Sequence, residues 1–182
     1  MTARSHDNKR TAVKDLVFTA MFAALIAVCS LISIPVGAVP VTLQTFAVCL
    51  SAAMLGWKRG MLSVLIYILL GAVGVPVFAG MKGGPGVLAG PTGGYIVGFL
   101  LTALIIGFAA QRWDRKALPL TLAMALGVLA CYAVGTLWFT ISTGTNIYDA
   151  MLICVVPFLL PDGVKIAAAV LLSNRLSKVV RL

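Results

Sequence analysis

Six apolar runs, joined by short polar or glycine-rich connections, fill this chain almost end to end. They are Leu16 to Ile34, Leu43 to Gly56, Met61 to Phe78, Gly94 to Ala110, Ala117 to Ile141 and Ala150 to Leu172. Five carry no charged residue, and the sixth is broken only by Asp162 and Lys165. A helix that crosses a bilayer needs about 20 residues at about 1.5 Å of rise each. The first, third, fifth and sixth runs meet that length; the second and fourth are short and follow proline- or glycine-bearing chain. Non-helical backbone at membrane depth survives only where it lines a cavity or is buried in protein, so short spans point to a cavity. Composition removes the soluble alternative: 10% of residues are charged, against about 25% in a typical globular chain, and mean hydropathy is +1.08. The expectation is an all-α integral membrane protein of six transmembrane helices in one domain, residues 1–182. Residues 1–14 form a polar tail, 15–177 the six-helix bundle and 178–182 a second tail. The first apolar run is longer than a signal-peptide core and is read as a retained helix.

The basic residues orient the bundle. Arg4, Lys9, Arg10 and Lys14 precede the first span, Lys58 and Arg59 follow the second, Arg112, Arg115 and Lys116 follow the fourth, and Arg175, Lys178 and Arg181 follow the sixth. In a six-span chain these twelve of the fourteen basic residues fall on one side, which the positive-inside rule makes cytoplasmic, with both termini. The formal charge of +9 therefore reports topology, and no nucleic-acid partner is expected.

Several kinds of chemistry are missing. GGPGVLAG lacks the Gly-Lys-Ser/Thr ending of a phosphate-binding loop, and no G-x-S-x-G is present. His6 is the only histidine and lies in the polar tail. Cys29, Cys49, Cys131 and Cys154 stand singly in apolar sequence and read as small buried hydrophobes. The chain is therefore read as no enzyme, with no catalytic residue and no metal site.

Asp162 and Lys165 are the exception to this apolar sequence. They lie 13 and 10 residues before Arg175, about 20 and 15 Å from the cytoplasmic edge at helical rise. An ionisable group at mid-membrane costs at least about 2.5–3.5 kcal/mol, so both must face protein or a cavity. Spaced i, i+3, they share a face and serve either as a helix staple or as the polar pole of a solute site. Pro157 and Pro161 are expected to bend this span and leave Asp162 near an exposed helix start. A second concentration lies between Gly71 and Gly98, which hold ten of the eighteen glycines. It reads as a turn-rich outer loop folded over a pocket, with Gly80, Gly83, Gly84, Gly90 and Thr92 shaping the cap and Lys82 at its mouth. Gly94 and Gly98 are read as close helix packing. Gln44 and Thr45 open the short second span, where the amide serves either a solute or neighbouring backbone.

The segments VPVTLQT, KRGMLSVLIYILLGAVGVPVFAG, GPTGGYIVGF and PFLLPDGVK together resemble the BioY family, the biotin-specific substrate-binding (S) components of energy-coupling-factor (ECF) transporters. The similarity runs from about Val13 to Ser177, and GPTGGY is its most specific piece. The resemblance implies a multi-pass S component of a prokaryotic cytoplasmic membrane that binds biotin from outside. Biotin is then the transported ligand and no cofactor is expected. Partners implied are a coupling transmembrane subunit and two ATPase subunits, met through an alanine-bearing first helix with Ala20 and Ala24. Biotin's ureido ring, apolar thiophane ring and carboxylate suit Asp162 and Lys165 as the polar pole. Gln44 and Tyr95 would add neutral hydrogen bonds, Phe78 a ring wall, and Lys82 a second cation for the carboxylate. An S component for another small vitamin and a solitary facilitator or channel remain as alternatives.

Overall fold

The computed structural model of the chain describes the backbone of residues 2–37 and 39–179, and the side chains of residues 13–37 and 39–178. Arg4, Lys9, Arg10, Arg181 and His6 lie outside the described side chains. The elements in order are α1 (Thr2–Leu31), β1 (Ser33–Ile34), β2 (Val41–Thr42), α2 (Gln44–Ala72), α3 (Pro85–Ala89), α4 (Gly93–Arg112), α5 (Ala117–Thr143), α6 (Ile147–Cys154) and α7 (Val156–Val179). The two short strands pair antiparallel, Ser33 with Thr42 and Ile34 with Val41.

Five helical stretches among the described residues are long and apolar enough to cross a membrane: 13–31, 44–72, 93–112, 117–143 and 147–178. The second of them holds two of the six expected spans. Gly56 has φ +77° and ψ −178° inside α2, a conformation open to glycine and strained for other residues. A Cβ built on Gly60 would sit 2.8 Å from the Ala52 Cα. Eight residues of unbroken helix would separate these positions by about 12 Å, so the chain reverses at Gly56 and α2 is a helical hairpin. Arg115, in the turn between α4 and α5, secures the apex. Its Nε donates to the Ala53 carbonyl at 3.0 Å and its Nη2 to the Met54 carbonyl at 2.9 Å, satisfying acceptors that the reversal strips of helical donors.

The first arm of the hairpin, residues 44–55, is the centre of the core. Every residue from Ala47 to Gly56 is buried, and at about 18 Å long it stops well short of a bilayer's thickness. Ahead of it, Val39, Pro40 and Thr42 line the cavity described below. Helices α1, α4 and α7 pack against the α2 hairpin, α1 meeting its second arm where the Ser63 hydroxyl donates to the Thr19 carbonyl at 3.0 Å, and α5 packs against α4. Gly94 and Gly98 do face α5, where Cβ atoms would lie 2.2 Å from the Trp138 Cβ and 3.2 Å from the Cys131 Cα. The outward faces carry large apolar side chains such as Leu118, Ile141, Leu160 and Leu171, as lipid contact requires.

Two expectations are corrected. The third span ends at Ala72 instead of Phe78: Gly74 and Pro76 stop the helix, and apolar chain beyond them folds back as cover. The bend in the last span falls at Val155, between α6 and α7. Asp162 is thus well inside α7 and not at an exposed helix start.

Candidate functional site

The cover is built by residues 73–92. Gly71 has no side chain, and a Cβ there would lie 2.0 Å from the Phe78 ring; the ring occupies that space. Phe78 is 1% exposed and meets the Tyr67 ring edge-on, centroids 5.5 Å apart. The segment is tied down by backbone bonds between Phe78 and Lys82, by Gly84 N–H to the Gly71 carbonyl at 2.7 Å, and by the Ser30 hydroxyl donating to the Val77 carbonyl. At its far end the Trp138 indole donates to the Gly90 carbonyl at 2.9 Å.

Beneath this cover lies a cavity that opens in part to the exterior. All six residues singled out as ligand-binding line it: Asp162, Lys165, Gln44, Tyr95, Phe78 and Lys82. Of the five cap residues only Thr92 does; Gly80, Gly83, Gly84 and Gly90 shape the loop behind Ala79, Lys82 and Val87. Ala20 and Ala24 lie far from the cavity residues in sequence, on the exposed face of α1.

One pole of the cavity is ionic. Asp162 is 3% exposed and Lys165 8%. Lys165 Nζ lies 2.6 Å from Asp162 Oδ1, and the Tyr132 hydroxyl donates to Oδ2 at 2.5 Å. The i, i+3 spacing on α7 brings the pair together, and Tyr132 reaches it from α5. Each carboxylate oxygen retains a second lone pair, and the ammonium retains two N–H groups. The pole can therefore accept donors from a solute and donate to one of its acceptors.

The other polar groups divide sharply. The Tyr95 hydroxyl bonds the Thr136 hydroxyl at 2.9 Å, and the Thr42 hydroxyl accepts from the Gln44 backbone N–H at 3.2 Å. Gln44 Nε2 and the Tyr67 hydroxyl, both buried at the cavity wall, have no hydrogen-bond partner among the described residues. Apolar walls come from Val39, Ile96, Phe99, Val128 and Phe158. Tyr132, Tyr67, Phe99 and Phe158 were missed by sequence reasoning. A usable signal existed for Tyr132: with Thr136 it is a polar pair at i, i+4 in an otherwise apolar span, beside small Cys131 and Gly135.

A multi-pass helical bundle with a covered, polar-ended cavity inside its membrane-spanning region is the architecture of a membrane-embedded solute binder. The model of the BioY family matches residues 2–182, and the chain belongs to that family. It is 45% identical to the biotin transporter BioY of Thermotoga maritima over 91% of this chain and 97% of that one. It is 42% identical to a probable biotin transporter BioY of Pyrococcus horikoshii over 90% and 96%. Among solved structures it matches the S-component for biotin from an ECF-type ABC transporter, with TM-score 0.87 and 29% identity over 93% of each chain.

Proposed function

We propose that this chain binds biotin in the cavity and serves as the substrate-specific component of an ATP-driven ECF transporter. The observation that carries the reading is the buried Asp162–Lys165–Tyr132 cluster facing a covered cavity. Ionisable residues inside a membrane are rare, and those that pair beside a cavity mark solute sites. The ureido ring supplies two N–H donors for Asp162, and its carbonyl or the valerate carboxylate accepts from Lys165. The thiophane ring packs among Phe78, Phe99 and Phe158. Lys82, exposed at the mouth and without an ion pair among the described residues, attracts the carboxylate as biotin enters.

Both termini face the cytoplasm, as the distribution of basic residues favours. A coupling transmembrane subunit and two ATPase subunits supply the energy, and the exposed face of α1 at Ala20 and Ala24 meets the coupling subunit. The reading is tested by equilibrium binding of labelled biotin to the purified chain, with desthiobiotin and riboflavin as competitors. One saturable site per chain, displaced by desthiobiotin and indifferent to riboflavin, is expected. A folded, monodisperse sample that binds no biotin refutes it.

A further inference from the structure

At the end of the bundle away from the cavity, two basic turns are locked together. The apex of the α2 hairpin, residues 56–60, carries Trp57, Lys58 and Arg59; the turn between α4 and α5, residues 111–116, carries Arg112, Trp113, Asp114, Arg115 and Lys116. They meet closely. A Cβ on Gly107 would lie 2.4 Å from the Trp57 Cα, and one on Gly56 would lie 2.2 Å from Gln111 Nε2. Arg115 reaches inward to the Ala53 and Met54 carbonyls, from a tight turn in which Asp114 and Arg115 have φ of +48° and +54°. Arg112, Trp113 and Lys116 are left exposed at the rim of the apex, where Lys58 is exposed as well.

The two turns gather five cations against one carboxylate, Asp114. Arg59 is matched by Asp15 at 2.9 Å. Lys58, Arg112 and Lys116 have no ion pair among the described residues, and the Lys58 ammonium lies 5.3 Å from the Trp57 ring centroid, within cation–π range. Topology asks only that basic residues lie on the cytoplasmic side; it does not ask for two indoles among them. Arg175 and Lys178, on α7, have no aromatic neighbour in sequence. Indole rings settle at headgroup depth, and anionic headgroups of the cytoplasmic leaflet attract lysines and arginines beside them.

We propose that the α2 apex and the α4–α5 turn form a binding site for an anionic phospholipid of the cytoplasmic leaflet. Lys58, Arg112 and Lys116 hold its phosphate, and Trp57 and Trp113 seat against its glycerol and upper acyl chains. The site is separate from the biotin cavity and independent of the biotin reading. A lipid held there bridges the two turns and braces the hairpin from outside, as Arg115 does from within.

The test is thermal unfolding of the full chain in detergent, with phosphatidylglycerol or phosphatidylcholine of the same acyl chains added at matched concentration. Native mass spectrometry of the same samples counts retained lipid. Phosphatidylglycerol should raise the unfolding temperature more than phosphatidylcholine and be retained, and the excess should shrink with salt. Lys58→Gln with Lys116→Gln should weaken phosphatidylglycerol about tenfold to thirtyfold, the loss typical of two basic residues near an anionic surface. Both side chains are exposed, so unfolding in detergent alone should not change. Arg175→Gln with Lys178→Gln removes the same charge from α7 and should leave the lipid effect in place. Asp114→Asn removes a repulsion and suits left-handed backbone, so it should tighten the lipid. Equal effects of the two lipids overturn the proposal. So does an equal loss in both double variants, which is the mark of diffuse charge. Soluble glycerol phosphate that stabilises as well as the lipid overturns the assignment to a lipid, since a free phosphate then suffices.

Discussion

Asp162→Asn separates what the buried ion pair does for the fold from what it does for the ligand. In the wild type Lys165 is 8% exposed and held 2.6 Å from the carboxylate. Removing that charge leaves an ammonium in a poorly solvated site without its counter-charge, which costs about 3–5 kcal/mol. For a chain of this size that lowers the unfolding temperature by about 6–20 °C. Adding Lys165→Met removes the stranded charge with an unbranched apolar chain. The double variant should recover to within about 1–2 kcal/mol of wild type, because replacing a whole buried pair is often near neutral. Binding should not recover. The Lys165 bond to the ligand is gone, and the two at residue 162 lose their charge assistance or their acceptor. At about 1.5–3 kcal/mol for each charge-assisted bond, this weakens biotin by about a hundredfold or more, at about 1.4 kcal/mol per tenfold. The assay is thermal unfolding in detergent paired with biotin titration of the same samples. A double variant that binds as tightly as wild type refutes the ligand role and leaves the pair a helix staple. An Asp162→Asn variant as stable as wild type refutes the assumption that Lys165 is poorly solvated.

The remaining expectations concern the cover, the hairpin and the topology. Gly71→Val places a side chain where the Phe78 ring lies, so the ring is displaced and biotin affinity falls by about tenfold or more, as loss of a buried aromatic wall predicts. Gly86→Ala, in the same loop with nothing within 4 Å, should bind normally. Arg115→Ala frees the Ala53 and Met54 carbonyls and should cost about 1–3 kcal/mol in an unfolding titration. Arg115→Lys should rescue little, because an ammonium lacks the planar fork that reaches both carbonyls. Reporter fusions active only in the cytoplasm should be active at both the N- and the C-terminus; activity at one end alone contradicts the six-span topology.

Much of this architecture is legible in the sequence because hydropathy and glycine act locally. The runs at 94–110 and 117–141 fall within two residues of α4 and α5, and the boundary placed at Gly56 marks the apex of the α2 hairpin. Asp162 and Lys165 stand out because a charge in an apolar span demands a reason. The overrun to Phe78 has an equally physical origin. Phe78 is apolar because it walls the cavity and fills the space beside Gly71, and hydropathy cannot tell covering chain from a spanning helix. The charged residues before Leu16 likewise do not prevent a helix, since propensity is indifferent to which side of an interface a residue occupies. Tyr132 and Tyr67 escaped because tyrosine in a span carries little hydropathy signal. Their roles arise only when α5 meets α7 and when the two arms of α2 close on each other.

The most direct test of the central claim is the structure of this chain with biotin bound. The account predicts ligand density in the cavity beneath Phe78, with a ureido nitrogen within hydrogen-bonding distance of an Asp162 carboxylate oxygen. Density for biotin elsewhere, or in the cavity with only apolar atoms facing Asp162 and Lys165, would contradict it.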